Sequence, residues 1–194
     1  MLTIRLATPA DAAECLRIYR PAIENSSISF EYLVPTLAEM AERIKATLTF
    51  GPWLIATDDQ AVVGYAYAGP HRTRAAYAWS ADVSVYVDPS AHRRGVGRQL
   101  YEMLLALLRL QGFHSVFAGI TQPNAASMAL HQRLGFNFVG TYEKVGFKNG
   151  AWHDVSWLQL PLGEFTVPPR PVSSLTEAQK LAQWQNLLGA SKTS

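Results

Sequence analysis

Residues 87–104 read VDPSAHRRGVGRQLYEML and place Arg93, Arg94 and Arg98 around Gly95 and Gly97, between an apolar strand and an apolar helix. A turn of this kind can gather an anion. Successive main-chain N–H groups from Arg94 to Arg98 can point at one place, and the dipole of the following helix favours negative charge there. Two glycines let the backbone approach a phosphate with no Cβ in the way. The plainer alternative is a basic loop ahead of an ordinary helix, and composition alone leaves the two balanced. Two known phosphate cradles do not fit. A dinucleotide fingerprint needs a third glycine where Leu100 stands, and a P-loop needs Lys-Ser/Thr where Arg98-Gln99 stands.

Other reactive groups are sparse. Cys15 is the single cysteine, so neither an intramolecular disulfide nor a cysteine-based zinc site can form. It lies in a helical stretch, DAAECLRIYRPAI, and reads as a small core residue. His71, His114 and His153 show no metal-ligand spacing, and no metal is expected.

The elements that must position these groups follow from periodicity and punctuation. Thr3–Ala7 reads as a strand; Thr8-Pro9 opens a helix reaching about Glu24, and a second helix spans about Thr36 to Leu48. WLIATDD and AVVGYAYAGP form a hairpin-like pair around Asp58–Gln60. Trp79–Val87 is a fourth strand, with Val83, Val85 and Val87 on one face and Asp82, Ser84 and Tyr86 on the other. The helix after the basic turn shows Val96, Leu100, Met103, Leu107 and Leu110 as one apolar stripe, ending at Gly112. SVFAGI is a strand, and NAASMALHQRLG is a helix closed by Gly135. Two long strands then meet at Asn149-Gly150, a two-residue hairpin signal. The order β-α-α-β-β-β-α-β-α-β-β describes an α/β fold, a mixed central sheet with flanking helices, in one domain over residues 1–162. Residues 163–194 form an extension, proline-rich and then helical over about Leu175–Leu188, packed on the domain or on a partner subunit.

The composition sets limits. A chain of 194 residues with 48% hydrophobic and 16% charged residues can bury one sizeable core. A net charge of +2 gives little support to a nucleic-acid partner or a membrane surface. Twelve arginines against five lysines suit forked recognition of carboxylates or phosphates. No secretory leader opens the sequence, and no apolar run approaches the roughly 18 residues of a membrane span. A cytoplasmic protein is expected.

The turn His92-Arg93-Arg94-Gly95-Val96-Gly97 resembles the pyrophosphate loop of the GNAT acetyltransferases, Gln/Arg-x-x-Gly-x-Gly/Ala after the fourth strand, with His92 departing from the usual first residue. NAASMALHQRLGF is similar to that family's Asn-x-x-Ser…Leu-Gly-Phe helix, and PWLIA, GYAYAGP, AYAWSADVSVYV, QGFHSVFAGI, GFKNGAWHDVSWLQL and VPPRPV resemble the phosphinothricin N-acetyltransferase group. The resemblance covers most of residues 50–172. It implies a GNAT-type fold, acetyl-CoA as co-substrate, no metal, a homodimer joined through the C-terminal strands and tail, and transfer of acetyl to the α-amino group of phosphinothricin or a similar small amino acid.

The resemblance also assigns residues. Asp82 stands where the group carries glutamate and becomes the general base, directly or through water; the alternative is a strand carboxylate paired with Arg72 or Arg74. His131 stands where the group has histidine and can serve as base for the amine or acid for the thiolate; otherwise it is a histidine favoured by the dipole at a helix C-terminus. Asn124, Ser127 and His131 share one helical face toward a ligand. Val85, Tyr86 and Val87, with Arg93, Arg94, Gly95, Val96, Gly97 and Arg98, hold the coenzyme. The Val85 N–H takes the oxyanion if the fourth strand bulges outward. Arg72, Arg74 and Tyr77 face the acceptor's acid group, and Phe30, Phe147 and Trp152 wall its pocket. Two rival readings remain: a protein N-terminal acetyltransferase, and a coenzyme-A-binding sensor without catalysis.

Overall fold

The computed structural model describes residues 2–190. Seven strands form one sheet: β1 (Leu2–Leu6), β2 (Trp53–Asp58), β3 (Ala61–Pro70), β4 (Ser80–Val87), β5 (Ser115–Thr121), β6 (Asn137–Lys148) and β7 (Ala151–Pro161). Their spatial order is β1-β2-β3-β4-β5-β7-β6. Every neighbouring pair is antiparallel except β4 and β5. Helices α1 (Ala12–Glu24) and α2 (Leu37–Phe50) cover one face, and α3 (Val96–Gln111) the other. A fourth helix, α4 (Ala125–Arg133), follows β5. The expected order of elements through β7 is the observed one.

Local chemistry places the ends. Thr36 opens α2 through a capping box, its hydroxyl accepting from Glu39 N–H at 3.2 Å while its own N–H donates to the Glu39 carboxylate at 2.7 Å. Asn149 and Gly150 both take positive φ, +51° and +77°, the twist a two-residue hairpin requires. The buried face of α3 is broader than the expected stripe. Val96, Leu100 and Leu107 are buried as expected, together with Tyr101, Leu104, Leu105 and Leu108, whereas Met103 and Leu110 are half-buried at its margin. The difference has a physical cause: a helix lying across a sheet buries an arc wider than a single row. Cys15 lies wholly inside the second core cluster, and burial pushes its thiol up to about 12, which suits a packing residue and not a nucleophile.

The C-terminal segment is drawn into the main core. Its helical part is broken into α5 (Leu175–Ala178) and α6 (Ala182–Ala190), where one helix over Leu175–Leu188 was expected. Leu175, Ala178 and Trp184 join the cluster around α3, and Ser173 N–H donates to Gln111 O at 2.7 Å. The polar end at 191–194 lies outside the described residues. Trp184 is only 1% exposed, so Trp184→Ala should lower the stability of the whole protein by about 3–5 kcal/mol, measured by urea denaturation. A loss under about 1 kcal/mol would mean the segment is merely laid on the surface.

Candidate active site

Strands β4 and β5 pair over only three residues, Ser80 to Asp82 against Ser115 to Phe117, and then part. β4 continues to Val87 and β5 to Thr121 without each other, which opens a cleft between them. Val83, Ser84, Val85 and Tyr86 line one wall, Ala118–Thr121 the other, with Tyr101, Asn124, Ser127 and His131 around them and Ile28 at one side.

The main chain of β4 presents alternate amides to this cleft. His71 N–H donates to Ser80 O and Asp88 N–H donates to Val63 O, so the even-numbered residues between them turn their polar groups toward β3. By alternation, the N–H and C=O groups of Val83, Val85 and Val87 face the side that β5 vacates. The expected outward bulge of β4 is not present in its ladder with β3, which runs unbroken from Ala81 to Val87. The divergence of β5 frees the Val85 amide without it. His92 takes up the Val87 carbonyl through Nε2 at 3.0 Å.

At the open end of the cleft stands the basic turn. Gly95 adopts φ +81° and caps α3 with no side-chain partner, and Arg93 also has positive φ, +61°. The first helical bond is Gln99 N–H to Gly95 O at 3.0 Å. Among the described residues, the N–H groups of Arg94, Gly95, Val96, Gly97 and Arg98 meet no backbone acceptor. Gly97 lies against Val85, Val87 and Leu130, where even a Cβ would be 3.4 Å from Val87. The three guanidinium groups differ in their ties. Arg94 is bound to Asp58 and Arg98 to Glu102 at 2.7 Å, while Arg93 makes no ion pair among the described residues.

Helix α4 supplies the polar wall. Asn124 Oδ1 caps it by accepting from Ser127 N–H at 3.1 Å. His131 is 3% exposed. Its Nδ1 lies 2.8 Å from Ser127 O and its Nε2 3.0 Å from the Tyr101 hydroxyl. A carbonyl only accepts, so Nδ1 carries the proton and Nε2 accepts from Tyr101. Burial lowers the His131 pKa, and the ring stays neutral. With both nitrogens engaged, it is not poised as a base for an incoming amine. Tyr101, buried on α3 and easily read as a core aromatic, is the cleft residue that periodicity conceals.

At the closed end, Asp82 occupies the last rung joining β4 to β5, opposite Phe117. Its partner is neither Arg72 nor Arg74. Asp82 Oδ1 lies 2.6 Å from His71 Nδ1, because His71 sits opposite Ser80 and so diagonal to Asp82 on one face of the β3–β4 pair. Burial raises the Asp82 pKa against the opposing pull of His71 and Arg72. Tyr77 meets the His71 ring edge-on at 5.8 Å, and Arg72 lies over the Trp157 ring at 5.7 Å. Arg74 is exposed before a short turn and joins no contact of this group. Phe30 lies where a Cβ on Gly146 would stand, beside His153. Phe147 and Trp152 form an exposed ring pair, 5.3 Å apart, near the tip of the β6–β7 hairpin and outside the cleft lining. The described residues contain no cluster of three or more His, Cys, Asp or Glu that could hold a metal, and no helix long and apolar enough to cross a membrane.

The chain has close counterparts among known proteins. Residues 4–157 match the acetyltransferase (GNAT) domain. The chain belongs to the GNAT acetyltransferases. Phosphinothricin N-acetyltransferase of Streptomyces viridochromogenes is 40% identical over 174 residues, covering 90% of this chain and 94% of that one. The L-methionine sulfoximine/L-methionine sulfone acetyltransferase of Salmonella typhimurium is 35% identical over 86% of this chain and 98% of its own length. A GNAT superfamily phosphinothricin acetyltransferase from Sinorhizobium meliloti, solved with acetyl-CoA, superposes with a TM-score of 0.82 at 35% identity over 88% and 93% of the two chains. The protein is therefore an acetyltransferase with the fold that the resemblance implied.

In this acetyltransferase the buried histidine has a measurable consequence. The unfolded chain protonates His131 near pH 6.5, whereas the folded chain does so only at lower pH. The unfolded state then binds more protons, and the contribution of His131 to stability should fall as pH drops through the 6s. A ¹⁵N-resolved histidine titration checks this: the His131 resonances should keep the Nδ1–H pattern to lower pH in the folded protein than in the urea-unfolded chain. His131→Phe keeps the ring volume but strands the Tyr101 hydroxyl, and should cost about 1–3 kcal/mol by urea melt.

Proposed function

We propose that the protein acetylates the α-amino group of a compact amino acid, phosphinothricin or a methionine sulfoximine or sulfone, with acetyl-CoA as donor and by direct attack in a ternary complex. The observation that carries this reading is the pairing of unclaimed main-chain N–H groups at the start of α3 with a half-buried carboxylate on the last rung before β4 and β5 part. The relatives' names supply the acceptor class.

The chain's groups divide the work. Amides of Arg94 to Arg98 receive the diphosphate, with Arg93 as the guanidinium ready to pair with it, and Val85, Tyr86 and Val87 flank the coenzyme's arm, with Asn124 and Ser127 opposite. Asp82, directly or through a water, draws a proton from the acceptor's ammonium. The freed nitrogen pair attacks the thioester carbonyl carbon, and the carbonyl electrons move to oxygen, toward the Val85 N–H. Collapse breaks the C–S bond, the nitrogen sheds its second proton, and the thiolate leaves as the thiol. On the thiolate's side we place the Tyr101–His131 pair. No covalent enzyme intermediate and no metal are required. Arg72 and Tyr77 stand nearest Asp82 for the acceptor's acid group, with Arg74 on the same loop; Phe30, Phe147 and Trp152 belong to an outer wall.

The reading includes a cytoplasmic homodimer. Edge strand β6 exposes Phe138, Val139, Tyr142 and Val145, an apolar row suited to a second copy, while Trp184 of the tail is buried in its own subunit. Sedimentation should report about twice the 21.4 kDa chain mass, and Val145→Glu should move it toward the monomer.

A thiol-release assay with acetyl-CoA tests the activity against phosphinothricin, methionine sulfoximine, methionine sulfone, the common amino acids and short peptides. Turnover with the compact amino acids is expected. Turnover with peptides alone, or tight coenzyme binding without turnover, would overturn the reading in favour of a protein acetyltransferase or a sensor. Arg93→Ala should raise the KM for acetyl-CoA by about 5–30-fold, more than Arg94→Ala does, with kcat little changed.

A further inference from the structure

His71 lies outside every motif that identifies the family, yet it makes the shortest contact to the carboxylate of the cleft. We propose that His71 is the proton-accepting group of this acetyltransferase: its Nε2 removes the proton from the acceptor's ammonium, and Asp82 serves to fix its tautomer. The inference rests on the acetyltransfer reading and, within it, moves the proton-accepting role from Asp82 to His71.

The geometry is that of an oriented base. Asp82 Oδ1 and His71 Nδ1 are 2.6 Å apart. A carboxylate at that distance accepts from Nδ1–H, which leaves the lone pair on Nε2. Among the described residues Nε2 has no hydrogen-bond partner. The ring cannot turn freely. It stacks on Phe117 at 4.2 Å and meets Trp157 and Tyr77 edge-on at 5.9 and 5.8 Å. The His71 side chain is 12% exposed and that of Asp82 35%, so the ring is largely sheltered while the carboxylate keeps access to water. Asp82 is the last paired residue of β4, and Val83, the next one along, already lines the cleft.

Proton affinity favours the imidazole. An ordinary carboxylate binds its proton near pH 4 and an imidazole near pH 6.5, while an α-ammonium releases one near pH 8 or above. General-base efficiency rises as the two affinities approach one another. The charged and titratable groups around His71 are Asp82 on β4, Tyr77 on the following turn, and Arg72, whose guanidinium donates to the His71 carbonyl at 2.7 Å. β5 and β7 offer it only the rings of Phe117 and Trp157. In the step, Nε2 takes one proton from the ammonium and becomes cationic beside the Asp82 carboxylate, and the nitrogen pair so released forms the C–N bond. The imidazolium then returns its proton to solvent or to the departing thiolate.

The test compares His71→Phe, His71→Asn and Asp82→Asn with the parent, each checked by circular dichroism, over pH 5 to 9. His71→Asn can still donate to Asp82 but carries no base. Both His71 variants should lose about 10²–10⁴-fold in kcat, keep the KM for acetyl-CoA within about twofold, and lose the acidic limb of the kcat/KM profile. Asp82→Asn should keep that limb at reduced kcat. Recovery of the parent's rate and acidic limb by His71→Asn would overturn the proposal and leave Asp82 as the base with His71 as its positioner. ¹⁵N spectra of the parent give a readout independent of activity. A neutral Nδ1–H tautomer supports the dyad, and an Nε2–H tautomer sinks it. No turnover with any amino acid would defeat the acetyltransfer reading itself, and the tautomer would still decide the dyad.

Discussion

The structure turns on a pairing that stops early. Two parallel strands hydrogen-bonded along their length would satisfy each other and leave nothing to offer a ligand. Here β4 and β5 share three rungs and then diverge, so the Val83, Val85 and Val87 main chain has polar groups on a side where no strand follows. Unsatisfied backbone at the centre of a sheet is costly unless water or a ligand takes its place. The gap is kept open by packing: Val85 and Val87 lie under Gly97 at the start of α3, and Leu130 of α4 fills beside them. A Cβ at position 97 would just touch Val87 at 3.4 Å, so side chains beyond a methyl group would press helix from strand, which ties the basic turn to the strand below it.

The cleft is electrostatically graded from that geometry. One end has the positive pole of α3 and unclaimed N–H groups, with one guanidinium unpaired by acid among the described residues. The middle is neutral, because burial keeps His131 uncharged and Tyr101 protonated. The other end has the Asp82–His71 pair under the influence of Arg72. An anion and a cation would thus find complementary charge at opposite ends of a neutral passage. Tying Arg94 and Arg98 to Asp58 and Glu102 limits the excess positive charge of the turn.

Element order and the anion turn were legible because their signals are local. Gly95 and Gly97 after an apolar strand, Asn124 opening a helix, and Asn149-Gly150 between alternating strands each act within a few residues. The acid–base pair was not legible in the same way. His71 and Asp82 meet only because Gly69 is set opposite Asp82 in the β3–β4 ladder, a register that periodicity does not specify. Tyr101 was missed for a different reason: on an amphipathic helix a buried tyrosine looks like any core aromatic until its hydroxyl is seen on His131. Phe147 and Trp152, expected to wall the pocket, are exposed at the hairpin tip outside the cleft lining, because a resemblance in sequence does not fix how far a hairpin tip reaches over a site.

The segment between α1 and α2 depends on a buried cation whose role is mechanical. Lys148, only 3% exposed, donates to Ile23 O at 2.7 Å and Ser29 O at 2.6 Å. Ile23 lies in the last turn of α1, where carbonyls lack helical partners and the dipole favours a positive charge. Ser29 belongs to the segment between α1 and α2 that brings Ile28 to the cleft. Burial lowers the lysine's pKa, yet two carbonyls at hydrogen-bond distance are acceptors that only a donor can satisfy. The segment is also held by Tyr19 on Ser29 Oγ at 2.7 Å, by Tyr32 on Phe147 O, and by Phe30 seated on Gly146. Four ties from α1 and the β6–β7 hairpin thus fix the loop that carries Ile28 to the cleft. The Ile28 side of the cleft is therefore shaped by α1 and the β6–β7 hairpin as much as by residues inside the cleft.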